Sequence, residues 1–81
     1  MPKTVLAVDD NTAILNQYHA VLSNYYNLIT TASPLRAIKI IRDNPSIDLL
    51  ISDMDMEEMH GQNLIIESHG INPEIIKILT S

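Results

Sequence analysis

The chain contains no cysteine, and this absence excludes both disulfides and thiolate metal sites. No apolar run approaches the ~20 residues that a membrane-spanning helix needs. The start of the chain is not a signal peptide, because two acids interrupt its apolar run after four residues. We therefore expect a protein of a reducing compartment, the cytoplasm, with no membrane partner.

Basic residues are also scarce, with five lysines and arginines against ten acids and a net charge of −5. Such a charge argues against nucleic acid or anionic lipid as the main partner. One basic line, Arg36, Lys39 and Arg42, has helical spacing and is expected to be a solvated helix face. A chain of 81 residues allows one small domain.

Four short apolar segments predict β-strands, at residues 5–8, 27–32, 47–53 and 75–80. The intervening segments have helical periodicity. Thr12 is predicted to cap the first helix, which carries a broad apolar stripe. The stripe residues are Ile14, Tyr18, Val21, Leu22 and Tyr25.

The second and third helices have their own boundary signals. Ser33 and Pro34 predict an N-cap and first helical residue. The predicted buried residues of the second helix are Leu35, Ala37, Ile38 and Ile41, and this helix is expected to stop near Asn44 and Pro45. The third helix is expected over residues 62–68, ended by Gly70.

The element order βαβαβαβ predicts an α/β fold with a doubly wound parallel sheet. The second strand is the most polar and suits an edge. We expect the order 2-1-3-4, with the fourth strand at the other edge. That strand is apolar and would have no covering helix, so we expect either an incomplete fold or self-association through this edge.

A run of carboxylates, Asp53, Asp55, Glu57 and Glu58, follows the third strand without a lysine or arginine. Asp53 falls at the carboxyl end of the strand, where open α/β sheets bind ligands. Clustered carboxylates repel one another unless water screens them or a cation binds. A solvated acidic loop would explain this run equally well if it stood alone.

Asp9 and Asp10 follow the first strand in the same way. If the first and third strands are neighbours, these carboxylates meet Asp53 in one crevice. A hard divalent cation such as Mg²⁺ relieves the repulsion of such a group. Asp53 can then accept a phosphoryl group as nucleophile, and Thr80 at the end of the fourth strand can reach one of its oxygens.

These features together resemble the receiver domain of two-component response regulators. The resemblance rests on Asp9-Asp10, Asp53, the Met56-x-x-Met59-x-Gly61 pattern and Thr80, and it extends from Lys3 to Ser81. It implies a flavodoxin-like receiver fold, with residues 1–81 as the N-terminal portion of the domain. That portion would lack a fourth helix, a fifth strand with its lysine, an aromatic switch residue and a fifth helix.

The resemblance also implies roles for individual residues. Asp53 would accept a phosphoryl group from a sensor histidine kinase, a phosphotransfer protein or a small phosphodonor. Mg²⁺ would bind the side chains of Asp10 and Asp53, the backbone carbonyl of Asp55 and, through water, Asp9. Thr80 would be the switch hydroxyl, and the small Ser81 would leave the approach open. The chain would not be an enzyme beyond its own phosphorylation and dephosphorylation.

Three residues depart from the family pattern. Glu57 stands where members usually carry proline, so the loop after Asp53 is expected to be less rigid. His60 replaces the usual Asp or Asn. Lys77 interrupts an apolar strand and suggests that one face of the fourth strand is poorly covered.

Two other functions stay open at this point. The chain could be a receiver-like interaction module that is inactive as a switch, because it carries no lysine at a suitable strand end. It could also be a fragment of a haloacid-dehalogenase-type phosphatase, with Asp53 as nucleophile and Asp55 as general acid. That family places its nucleophile strand near the start of the chain, and it would leave Asp9 and Asp10 without a role.

Overall fold

Four parallel strands and three helices alternate along the chain in the computed structural model, which describes residues 2–80. In chain order the elements are β1 (Thr4–Val8), α1 (Thr12–Leu22), β2 (Asn27–Thr31), α2 (Pro34–Asp43), β3 (Leu49–Asp53), α3 (Gly61–Ile71) and β4 (Ile76–Thr80). The strands lie in the order β2-β1-β3-β4, and every pair is parallel. The predicted fold class and strand order are confirmed.

One face of the sheet is covered by α2 and α3. Because side chains alternate along a strand, Leu6 of β1 and Leu50 of β3 point to this side, where both are fully buried. They pack with Ala37 and Ile41 of α2 and Leu64 of α3. Burying one such large aliphatic side chain contributes roughly 1.5–3 kcal/mol, so this layer holds the two central strands firmly together.

The opposite face is covered only in part, because α1 contacts β1 and β2 but not the other two strands. A groove of about 710 Å³ remains beside it, lined by apolar side chains of β1, β3 and β4 and by Leu22 and Tyr26. Ile76 and Ile78 of β4 are 66% and 45% exposed. On this face the fourth strand has no covering helix within residues 2–80, as expected, whereas α3 contacts its other face.

One face of β4 is poorly covered, as expected, but Lys77 lies on the other face. Lys77 Nζ donates to the carbonyl of Ile75 at 2.7 Å and lies 3.4 Å from Nδ1 of His69 on α3. The poorly covered face carries Ile76 and Ile78 instead, because alternation places them opposite Lys77.

The starts of α1 and α2 follow the capping rules, with one correction. Asn11, not Thr12, is the N-cap of α1, because its Oδ1 accepts from the backbone N–H of Ala13 at 3.0 Å. The predicted cap of α2 is confirmed: Ser33 Oγ accepts from the backbone N–H of Arg36 at 3.1 Å. Asn and Ser both satisfy first-turn N–H groups in this way.

The predicted apolar faces of α1 and α2 were partly wrong. Leu15 is the buried residue of α1, whereas Val21 near its end is 60% exposed. Tyr25 lies beyond the end of the helix at Leu22 and is 70% exposed. Leu35 at the start of α2 is 56% exposed. In both helices some apolar side chains therefore lie outside the face that packs against the sheet.

Several boundaries also differ from the prediction. Helix α3 runs to Ile71 and passes through Gly70, so this glycine does not end it. The N–H of Asn72 bonds to the Ser68 carbonyl at 2.8 Å, and Pro73 then disfavours further helix. Strands β3 and β4 begin at Leu49 and Ile76, slightly later than expected. No helix within residues 2–80 has the length and apolar character needed to cross a membrane.

Candidate functional site

Three carboxylates from two strand ends meet at one edge of the sheet. Asp9 and Asp10 follow β1, and Asp53 ends β3, its direct neighbour. One oxygen of each carboxylate lies within 4.8 Å of the others. Parallel pairing brings them together, since it aligns the carboxyl ends of adjacent strands.

Asp9 is the buried member of this group, at 6% exposure. Burial raises the pKa of its carboxyl, and the nearby charges of Asp53 and Asp10 raise it further. The backbone N–H of Asn11 donates to Asp9 Oδ1 at 2.9 Å and lowers the pKa in part. The net direction is upward, so the site holds negative charge at an electrostatic cost.

Thr80 lies beside Asp53 because the two residues are paired in the β3–β4 ladder. The N–H of Met54 donates to the Thr80 carbonyl at 2.9 Å and continues this pairing past the end of β3. The Thr80 hydroxyl is directed toward the Ser52 carbonyl at 3.5 Å, a long contact. The hydroxyl is therefore near Asp53 and only weakly engaged.

The loop after β3 folds back over the strand end. The N–H of Gly61 donates to the Met54 carbonyl at 2.9 Å. The N–H of Glu57 donates to Asp10 Oδ2 at 3.3 Å and so connects the two acidic loops. Glu57, which stands in place of the family's usual proline, thereby provides a backbone donor that proline lacks.

The remaining predicted site residues lie apart from this group. The Asp55 carboxylate points away into solvent and is 3.9 Å from Nδ1 of the exposed His60. Its side chain is absent from the group of three, and the metal-binding role of its backbone carbonyl stays a prediction. The proposed role of Ser81 lies outside the described residues.

Sequence reasoning missed part of the wall of this crevice. The crevice has a volume of about 370 Å³, and α1 contributes Asn11, Ile14 and Tyr18 to its lining. These residues are spaced i, i+3 and i+7, so they share one helix face. That spacing was visible in the sequence, but the apolar pattern assigned Ile14 and Tyr18 to the core.

The chemistry of the donor set fits Mg²⁺. All three side chains offer carboxylate oxygens, which are the hard ligands that this cation prefers. Within residues 2–80 no lysine or arginine forms an ion pair with them. A cation at this place would relieve the repulsion that raises the pKa of Asp9.

Comparisons with known proteins agree with this geometry. The profile of the response regulator receiver domain family matches residues 5–81. Among curated relatives, the two-component response regulator ARR12 of Arabidopsis thaliana is 35% identical over 79 residues, covering 95% of this chain and 13% of the relative. The transcriptional regulatory protein GlrR of Escherichia coli is 32% identical over 82 residues, covering 99% of this chain and 18% of the relative. The chain thus spans under a fifth of these relatives.

Solved structures give the same result. A response regulator receiver domain protein from Clostridium thermocellum matches with a TM-score of 0.89 and 28% identity, covering 95% of this chain and 63% of that one. A structure described as adenylate cyclase from Rhodopirellula baltica matches with a TM-score of 0.94 and 25% identity, covering 100% and 60%. The chain belongs to the response regulator receiver domain family.

Proposed function

We propose that this chain is a phosphorylation-dependent switch of a two-component system, with Asp53 as the phosphoacceptor. The observation that carries the proposal is the meeting of the Asp9, Asp10 and Asp53 carboxylates at the carboxyl edge of neighbouring strands. Receiver family membership supports the same function. The assignment of residues 1–81 as the N-terminal portion of a receiver stays a prediction, as does a cytoplasmic location.

In the proposed reaction an Asp53 carboxylate oxygen attacks the phosphorus of a phosphohistidine or a small phosphodonor. A P–O bond to Asp53 forms while the bond to the donor breaks, and the leaving group keeps the electron pair. The leaving group is the imidazole of a phosphohistidine, or acetate where acetyl phosphate is the donor. The half-buried Asp53 side chain faces the crevice and is accessible to a donor. The chain thus receives the group in a single transfer and acts as phosphoacceptor, with no turnover of an external substrate.

The residues around Asp53 have separate proposed roles. Asp10 and Asp53 would hold Mg²⁺ by their side chains, Asp55 by its backbone carbonyl and Asp9 through a water molecule. A bound Mg²⁺ supplies positive charge that offsets the charge of the phosphoryl oxygens. The Thr80 hydroxyl, weakly engaged with Ser52, is free to turn toward a phosphoryl oxygen.

An inactive interaction module is the second candidate, and one observation favours it. No lysine or arginine lines the crevice within residues 2–80, so a phosphoryl group there lacks a charged side-chain donor. A charge-assisted hydrogen bond contributes roughly 1.5–3 kcal/mol. The phosphatase alternative has no such support, because it gives no role to Asp9 and Asp10, which share the crevice with Asp53.

The proposed partners follow from the chemistry of the site. A sensor histidine kinase or a phosphotransfer protein would deliver the phosphoryl group to the open crevice. Self-association through the outer edge of β4 is a further proposal, since this edge has no neighbouring strand within residues 2–80.

The experiment that tests the function is phosphorylation with acetyl phosphate and Mg²⁺, followed by intact-mass spectrometry. We expect one added phosphoryl group per chain, lost on treatment with hydroxylamine because an acyl phosphate is labile to it. Asp53→Asn should abolish the adduct, since the amide is not a nucleophile here. Asp43→Asn, on the exposed end of α2, is the matched control and should retain it.

Binding of beryllofluoride, which involves no phosphoryl transfer, distinguishes the phosphorylation-dependent switch from the inactive interaction module. Binding in the presence of Mg²⁺, followed by ¹⁹F NMR and lost in Asp53→Asn, supports the switch. A well-folded chain that binds Mg²⁺ but takes up neither beryllofluoride nor a phosphoryl group would be the inert module.

A further inference from the structure

A phosphoryl group on Asp53 would need hydrogen-bond donors, and the charged side chains that line the crevice are carboxylates, which only accept. A phosphoryl group on Asp53 carries terminal oxygens that accept hydrogen bonds. The crevice wall holds three carboxylates and, within residues 2–80, no lysine or arginine. Among the side chains that line the crevice, the candidate donors to these oxygens are therefore neutral.

Two of the residues that line the crevice carry a hydroxyl group, and they come from different elements. Thr80 belongs to β4, next to Asp53 in the sheet, and Tyr18 belongs to α1. The Tyr18 side chain is half-buried, and within residues 2–80 its hydroxyl makes no hydrogen bond to protein. A phenol hydroxyl can donate a hydrogen bond, as the Thr80 hydroxyl can.

The helix holds Tyr18 at this place. Asn11 caps α1 and lies at the mouth of the crevice, while Ile14, one turn before Tyr18, lines the same wall. Leu15 is buried against the sheet and fixes the rotation of the helix. The phenol is thus presented by a capped, packed element, which limits the entropy lost when it donates.

We propose that the Tyr18 hydroxyl is a donor to a phosphoryl oxygen on Asp53. This inference rests on the proposed function, and it names a neutral side-chain donor in addition to Thr80. Tyr18 is a binding residue for the phosphoryl group and has no role in holding the cation.

The test compares Tyr18→Phe with the unchanged chain in titrations with beryllofluoride at saturating Mg²⁺, followed by ¹⁹F NMR. Removing one hydrogen bond to a charged ligand should weaken beryllofluoride binding about tenfold. The control Tyr25→Phe, at a 70% exposed position outside the crevice, should bind as the unchanged chain does. The affinity for Mg²⁺ alone should be the same in all three proteins.

A spectroscopic readout separates donation from a purely structural role. The chain has three tyrosines and no tryptophan, so the double variant Tyr25→Phe, Tyr26→Phe leaves Tyr18 as the only fluorophore. Addition of beryllofluoride to its Mg²⁺ form should change the Tyr18 emission.

The outcomes distinguish this inference from the function on which it rests. Equal beryllofluoride affinity of Tyr18→Phe and the unchanged chain overturns the role of Tyr18 alone. A parallel loss of Mg²⁺ affinity, or a silent Tyr18 emission, overturns it too. Failure of the unchanged chain to bind beryllofluoride, with Mg²⁺ binding intact, overturns the proposed function and this inference with it.

Discussion

Asp9 is the residue whose environment departs most from that of an ordinary surface acid. It is buried beside two other carboxylates, and its raised pKa records the cost of ionising it there. Receiver family membership and the geometry both favour a cation as the remedy. Without a bound cation, ionisation of the Asp9 carboxyl lowers the stability of the folded state.

The sign of this effect gives a pH prediction for Asp9→Asn in metal-free buffer. A carboxyl whose pKa is raised by folding favours the folded state most below its unfolded pKa, here taken as 3.8. That contribution is lost as the pH rises through the higher folded pKa. Asparagine keeps the Oδ1 acceptor for Asn11 but cannot ionise, so the variant should gain stability relative to the unchanged chain across this range.

Urea unfolding from acidic to neutral pH measures the difference. We expect it to grow through the acidic range and then level off. Added Mg²⁺ should stabilise the unchanged chain more than the variant, because the ionised Asp9 then has a partner. A difference that does not change with pH would contradict this account.

At the residue scale, the sequence predicted the positions of the three site carboxylates better than the side chains that surround them. Strand ends and parallel pairing were enough to bring Asp9, Asp10 and Asp53 to one edge. The crevice lining from α1 was not predicted, because apolar periodicity cannot distinguish a buried helix face from one that borders a cleft. Tyr18 is half-buried on α1 and also lines the crevice.

At the element scale, the contact between α3 and β3 positions the strand that carries Asp53. Gly61 begins α3 directly against the backbone of Asp53: a Cβ placed on it would lie 2.1 Å from the Asp53 carbonyl oxygen and 2.8 Å from Leu79 Cδ2. A backbone atom cannot move aside as a side-chain end can. The helix start and the end of β3 are therefore packed without room for a methyl group.

Gly61→Ala should consequently destabilise the chain and displace Asp53. We expect a loss of roughly 1–3 kcal/mol, the usual cost of overpacking, together with weaker beryllofluoride binding. Denaturant unfolding and ¹⁹F NMR measure the two effects.

The same helix provides the matched control for this substitution. A Cβ on Gly70 would meet nothing within 4 Å. Gly70→Ala should stabilise the chain by roughly 0.5–1 kcal/mol, since alanine loses less backbone entropy in a helix. If both variants changed stability in the same direction, steric contact with Asp53 would not be the cause.

Element boundaries show why sequence rules succeed in some places and fail in others. Ser33 and Pro34 set the start of α2 as predicted, because local hydrogen bonding and a fixed φ decide it. Gly70 was expected to end α3, but a glycine ends a helix only where the chain turns left-handed, and no glycine within residues 2–80 has a positive φ. The actual end is set by Asn72 and Pro73.

At the scale of the whole molecule, the sheet is unequally covered. The face of the sheet packed against α2 and α3 is covered by these helices. The other face exposes Ile76 and Ile78 beside a strand edge that has no neighbouring strand within residues 2–80. Apolar side chains next to unpaired backbone groups favour pairing with a further strand. A second copy of this chain offers an identical edge, and two such edges can pair antiparallel about a two-fold axis.

We expect the 81-residue chain to self-associate at micromolar concentration, which sedimentation equilibrium measures. Ile76→Lys should shift the equilibrium toward monomer, because a charge at the edge opposes strand pairing. Ile66→Lys on α3 is the control, since Ile66 is 68% exposed, close to the 66% of Ile76, and lies on the covered side of the sheet. A monomer at all concentrations contradicts the expectation, as does equal disruption by both variants.

The unequal neighbours of the strands have a consequence for how amide protons exchange with deuterium. Strand β1 is hydrogen-bonded on both sides, and Val5 to Val8 are buried on both faces, so its amides should exchange slowest. The outward-facing amides of the two edge strands, β2 and β4, should exchange faster. Asp9 and Asp10 thus follow the most protected strand, whereas Thr80 ends an edge strand, so ligand uptake should register first as slower deuteration near Thr80.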